Sequence, residues 1–252
     1  MWYSARRTLV RVLGYGGCLL AIYLGGCSSS PSRVYTVGVD PYWFPLELVN
    51  REAYLFAFTA ELLELVAQEK HLHIQRAAAN WDDLLYGLTA HKYDAVCSSL
   101  EPYNFNLEKY SFSKNFFDTG LVLVATVEAS DMGSFIEKTI AVMTSEDEQL
   151  LMQKYPEAFF HRYDSLPKAF EALREGSVQA LATDYLQACN YISDLYSEKC
   201  KIISPPLSPE GIKLVTLAKE EPYFLKLFNE GLQQLKKNGV YDKLLKKWKL
   251  TP

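Results

Sequence analysis

A chain of 252 residues, nearly half of them apolar and 22% charged, is long enough for one large domain or two lobes with a sizeable core. Its net charge is −4, and the first 26 residues hold three arginines and no acid, so the remainder is more acidic than the whole. That balance excludes nucleic acid as the main partner, because phosphate binding needs a basic face. Lysines do gather near the C-terminus, at Lys236, Lys237, Lys243, Lys246, Lys247 and Lys249. On a helix they read as a solvated face.

The N-terminus has the layout of a targeting segment. Arg6, Arg7 and Arg11 precede an apolar run from Val12 to Gly26, which is too short for a comfortable membrane span. The run ends in Leu24-Gly25-Gly26-Cys27, which resembles the lipobox of bacterial lipoproteins. The resemblance implies a signal peptide over 1–26 and a lipid on Cys27, diacylglycerol with palmitate among its acyl groups. An ordinary signal or a plain anchor with an incidental cysteine is the other reading. Residues 27–33, rich in serine, read as a flexible tether.

Val34 to Val39 alternates apolar and polar residues and reads as a strand. A turn follows at Asp40, Pro41 and Pro45. Tyr54 to Glu69 reads as an amphipathic helix with Phe58, Leu62, Leu65 and Val66 on one side. Leu72 to Arg76 is a second strand. The Trp81 segment is a helix with Leu84, Leu85 and Leu88 on one face, and it leads to a third strand at Asp94 to Cys97. A polar loop, Ser98 to Asn106, lies beyond that strand's carboxyl end, where ligands bind in open α/β sheets. Leu121 to Val127 is a strong strand. Strands at Thr139 to Met143, Phe159 to Tyr163, Ala180 to Ala182 and Lys201 to Ile203 alternate with helices at Glu146 to Lys154, Ser165 to Glu175 and Tyr185 to Tyr196. Such alternation implies parallel βαβ units. The proline run at 205–209 marks a return crossing, Gly211 to Ala218 is a strand, and the tail is helical with a break at Gly239.

Several motifs in this order resemble family 3 bacterial extracellular solute-binding proteins, which deliver amino acids and similar solutes to ABC importers. They are Gly38, Asp40, Trp43 and Pro45 at the start, then Trp81, Leu84, Leu88, Lys92, Asp94, Ala95, Phe112 and Ser113. At the end stand Asn229, Leu232, Leu235, Gly239, Tyr241, Lys247 and Trp248. The resemblance implies an α/β, two-lobed periplasmic-binding-protein fold of type II, with a ligand cleft between lobes joined by two crossing strands. Lobe I would comprise 34–116 and 212–252, and lobe II 121–207. The hinges would fall near 116–120 and 208–211. It implies a monomer outside the cytoplasm, tethered to a membrane by its lipid, that closes on a small polar solute and hands it to an ABC permease. No cofactor, metal or catalysis is implied.

By the same resemblance, ligand-binding residues fall on Asp40, Trp43, Trp81, Ser98, Ser99, Glu101, Asn106, Thr144, Ser145, Glu146 and Asp184. Core packing is the plain alternative for either tryptophan, helix capping for Asp184 and turn formation for Asp40. The family's carboxylate-clamping Arg falls on Asn106, and an accompanying Thr on Glu101. Three readings stay open. A shifted loop would let Arg76, Lys109 or Lys114 supply the cation. Ser98, Ser99 and Asn106 would otherwise hold the carboxylate as neutral donors. Or the solute lacks a free carboxylate and is cationic or polar and neutral.

Cys97 reads as an inert core residue, while Cys189 and Cys200 either pair or stay apart. No cysteine spacing suggests zinc. Two rival functions remain: a ligand sensor or adhesin lipoprotein without transport, and a cyclohexadienyl-dehydratase-like enzyme using Glu101 or Glu146 as general acid. His71, His73, His91 and His161 form no nucleophile–base pattern.

Overall fold

A computed structural model describes residues 33–46, 48, 50–129 and 134–251. The chain runs β1 (Val34–Val39), α1 (Glu52–Lys70), β2 (His73–Ala78), α2 (Trp81–Thr89), β3 (Ala95–Ser98), α3 (Asn104–Leu107), β4 (Tyr110–Phe112) and β5 (Phe117–Asp118). It continues with β6 (Leu121–Thr126), β7 (Thr139–Val142), α4 (Ser145–Lys154), β8 (Phe159–Arg162), α5 (Leu166–Arg174), β9 (Ala180–Asp184), α6 (Tyr185–Leu195) and β10 (Cys200–Ile202). It closes with β11 (Gly211–Leu217), α7 (Pro222–Lys237) and α8 (Val240–Lys247).

Two sheets result. The first has the order β2-β1-β3-β11-β4, with β5 also paired to β11; the second has the order β10-β6-β9-β7-β8. Side chains alternate between faces along a strand, and both sheets are covered on both faces. In the first, Val37, Ala95, Cys97 and Leu214 join the core under α1, α7 and α8. Val96 and Val215, each one residue out of phase, pack instead with Leu84 and Leu88 of α2. In the second, Val122, Val124 and Leu181 pack with Phe170 and Ile192, from α5 and α6. Leu121, Leu123 and Ala182 face Leu151 of α4. Double burial explains why LVLVATV reads as a continuous apolar run and not as an alternating one.

The helices start and stop for local reasons. Asn80 caps α2 by accepting from the Asp83 amide at 2.9 Å. Thr144 and Asp147 form a reciprocal capping box at α4. Gly239, with φ 74°, separates α7 from α8, a backbone setting that costs glycine least.

Several details differ from the sequence reading. The polar loop after β3 contains the short helix α3, and Tyr110–Phe112 is a strand. The βαβ units are parallel as expected (β1 with β2 and β3, β7 with β8 and β9). However, β6 runs antiparallel to β9 and β10, and β11 antiparallel to β3, β4 and β5. These are the strands that follow the two crossings between the sheets. Cys97, Cys189 and Cys200 are buried, separate thiols. Cys200 packs with Phe170 and Ile192, whereas Cys189 reaches towards the Leu250 carbonyl at 3.8 Å. The sequence spacing alone gave no way to decide this.

The two crossing segments are laced together. The amides of Thr119 and Gly120 donate to the Glu210 carbonyl at 3.0 and 3.1 Å. The Leu121 amide donates to Ser208 Oγ at 2.8 Å. Asn115 Nδ2 donates to Asp118 Oδ1 and the Pro209 carbonyl, both at 3.0 Å. A Cβ on Gly120 would stand 2.4 Å from the Ser208 carbonyl oxygen, so only glycine allows this approach.

Candidate functional site

The carboxyl ends of β1 and β3 in the first sheet, and of β9 in the second, border one cavity of about 370 Å³. Pro45, Leu46 and Leu48 line it from the segment after β1, and Ser99 and Glu101 from the loop after β3. Asp184, Leu186 and Gln187 come from the β9–α6 junction, and Thr119 and Glu210 from the two crossings. Strand ends are where an open α/β sheet offers backbone groups and loops to a ligand. A wider hollow, about 720 Å³, lies beside Arg51, Asp194 and Lys249. It sits at helix ends and has no strand terminus on its wall.

The loop that carries Ser99 and Glu101 is tied at several points. Ser98 Oγ accepts from the Leu100 amide at 3.0 Å. Asn106 is buried, and its Nδ2 donates to the Glu101 carbonyl at 2.8 Å. It therefore braces the loop from behind. Glu101 Oε1 accepts from Lys213 Nζ at 2.7 Å, and the same ammonium donates to the Leu100 carbonyl at 3.4 Å. Lys213 sits on β11 opposite Ser98, with its side chain only 3% exposed. A buried ammonium needs such a partner.

Of the residues named from sequence, Ser99, Glu101 and Asp184 line this cavity. Asp184 occupies the N-cap position of α6 without making the capping hydrogen bond. The structure gives the others different surroundings. Asp40 is buried and accepts from the Tyr42 and Phe44 amides at 2.9 and 3.2 Å, so it shapes the turn after β1. Trp43 is 3% exposed and belongs to the core under α1. Trp81 is partly buried against the α2 cluster, with the Phe44 ring at 6.3 Å. Thr144 caps α4, and Ser145 Oγ donates to Glu146 Oε2 at 3.1 Å. Cys27 lies outside the described residues.

None of the three cations expected from a shifted loop lines the cavity among the described residues. Arg76 pairs with Glu64 at 3.3 Å, and Lys109 and Lys114 are exposed. The basic group nearest the loop is Lys213, which the sequence reading missed. Its apolar neighbours made β11 read as plain core, and its partner lies 112 residues away. Gln187, Thr119 and Glu210 were also missed. Glu210 had one faint signal, its place between the proline run and Gly211.

Nothing in the electrostatics favours a general acid at Glu146. Its own amide and the Ser145 hydroxyl hold its carboxyl below the usual range, and it is fully exposed. A general acid needs the opposite shift. All four histidines are exposed, and no cluster of metal-ligating side chains occurs among the described residues.

Two α/β units that share one cavity, joined by a laced double crossing, define the class of two-lobed solute-binding folds. The chain belongs to the bacterial extracellular solute-binding proteins, family 3, whose pattern it matches over residues 35–251. It is similar to a probable amino-acid ABC transporter-binding protein of Haemophilus influenzae, 22% identical over 86% of this chain and 85% of the relative. It is also similar to the L-cystine-binding protein TcyA of Bacillus subtilis, 23% identical over 85% of this chain and 81% of the relative. Among solved structures, the L-cystine solute receptor of Neisseria gonorrhoeae in its unliganded open conformation superposes with a TM-score of 0.61. That match has 20% identity and covers 86% of this chain and 93% of the receptor. The type II two-lobed fold follows from these likenesses.

Proposed function

We propose that the protein captures a small polar solute, an amino acid or a related amine or amide, and passes it to an ABC permease in the cytoplasmic membrane. It does so without chemical turnover. Lobe I is 34–116 with 212–252, lobe II is 121–207, and residues 116–120 and 208–211 are the hinges. Closure brings Asp184 and the Thr144–Glu146 turn of lobe II towards the Ser98–Asn106 loop of lobe I. A ligand drives that motion only by making contacts that are better in the closed state. Lipidation of Cys27 tethers the protein outside the cytoplasm.

One observation supports this reading: strand ends of both sheets and both crossings line the same cavity, and on this reading its volume changes as the lobes close. A thermal-shift panel of amino acids, polyamines and short peptides tests it. A true ligand at 100 times its Kd raises stability by about 2.7 kcal/mol, because it binds only the folded chain. At least one polar solute is expected to raise the melting temperature by several degrees. A panel with no hit, or turnover of the bound solute on incubation, would sink the reading. For the anchor, Cys27→Ala should move the protein from the membrane to the soluble fraction.

A further inference from the structure

The Lys213–Glu101 pair sets the chemistry of the inner wall of the cleft. Glu101 lines the cavity, and Lys213 stands behind it, off the wall. The ammonium is engaged by Glu101 Oε1 and the Leu100 carbonyl, while Glu101 Oε2 accepts no hydrogen bond from any described residue. No lysine or arginine lines the cavity among the described residues, yet Asp184 and Glu210 add two further carboxylates. We propose that Lys213 positions Glu101 as a receptor for a cation, so that the solute bears an ammonium or guanidinium at its inner end and needs no free carboxylate there. The inference rests on the reading of this cleft as a solute site.

The alternative is that Lys213 itself grips a ligand carboxylate. Lys213 is 3% exposed and off the cavity wall, so a ligand carboxylate would reach its remaining N–H only by pushing Glu101 aside. It would leave a second carboxylate without its partner in a largely desolvated corner, and breaking a buried pair from one side is strongly unfavourable. An incoming cation meets no such obstacle. It approaches Oε2 with the loop already braced by Asn106 Nδ2 and Ser98 Oγ, and preorganised charge costs little to use. The pair itself is neutral, so the discrimination comes from the orientation of Glu101 Oε2 together with the Asp184 and Glu210 carboxylates on the same wall, which disfavour acidic solutes and receive basic ones.

Calorimetry on the purified chain decides between them, with agmatine, L-arginine and L-glutamate as probes. Agmatine carries both cationic groups and no carboxylate. It is expected to bind within about tenfold of L-arginine, with L-glutamate weaker by about a hundredfold or more. Glu101→Gln should weaken agmatine by about tenfold or more. Lys213→Arg should keep agmatine affinity, whereas Lys213→Met should weaken it even though it removes a positive charge from beside Glu101. Tighter agmatine binding in Lys213→Met would mean that the lysine only offsets the charge of Glu101 and positions nothing. Should Lys213→Met fail to fold, Lys213→Gln is read in the same way. L-glutamate binding as tightly as agmatine, or Glu101→Gln leaving agmatine unchanged, overturns the inference. If neutral amino acids bind but none of the three probes does, the inference falls and the solute-binding reading survives. If no polar solute binds at all, both fall.

Discussion

Cys189 shows how far a single side chain is governed by its surroundings. Burial pushes its thiol up to about 12 from an ordinary 9.0, and burial raises Cys97 and Cys200 as well. The thiolate is the reactive species, so all three should resist alkylation by iodoacetamide at pH 8 in the native protein and react once it is unfolded in urea. Because the folded value lies above the unfolded one, the neutral thiol is what the fold favours. The stability associated with Cys189 is whole below about pH 9 and is lost as pH rises towards about 12. Urea titrations at pH 8 and pH 10.5 should show the midpoint falling at the higher pH. A labelling rate at pH 8 equal to that of a free thiol would contradict the packing described. Little at this scale was legible beforehand. Cys97 could be placed in the core because apolar neighbours surround it in sequence. Lys213 and Asn106 could not be placed, since each is defined by a partner outside its own periodic pattern.

At the scale of elements, hydrophobic period settled most of the reading. Leu84 and Leu88 mark the buried face of α2, and the Leu121–Thr126 run marks a doubly covered strand. Short elements escaped. β4 and β5 have three and two residues, too few for a period to show, and they exist because β11 offers an edge to pair with. The site was only partly legible for a related reason. Of the residues that motif position singled out, Ser99, Glu101 and Asp184 line the cavity, while Trp43 packs in the core under α1, a difference the motif alone does not carry. The crossings yield a sharper expectation. Gly120→Ala puts a methyl carbon 2.4 Å from a backbone oxygen of the opposite crossing. Overpacking of this kind costs about 1–3 kcal/mol. Urea denaturation should show a loss of that size, with ligand affinity altered as well if the crossings are the hinges. Wild-type stability in the variant would mean that the two crossings move apart freely.

For the whole molecule, the order of strands matters more than their number. All five strands of the second sheet come from one continuous stretch, β6 to β10, whereas the first sheet draws β11 from beyond it. Contacts between distant parts of a chain form late, because loop closure must come first. Pulse-labelled hydrogen exchange during refolding should therefore protect amides of β6, β7 and β9 before those of β3 and β11. The reverse order would argue that α1, α7 and α8 assemble the first sheet early.

The seat that β11 occupies, between β3 and β4, has one more consequence. A nascent chain emerging N-terminus first holds that seat vacant until residues past 210 arrive, with unpaired backbone on both flanks. Such raw edges invite a neighbour's strand. A polypeptide stopped at Glu210 would be aggregation-prone, and rescue in trans would need a peptide that brings α7 and α8 along with β11, because those helices close the core over the same sheet.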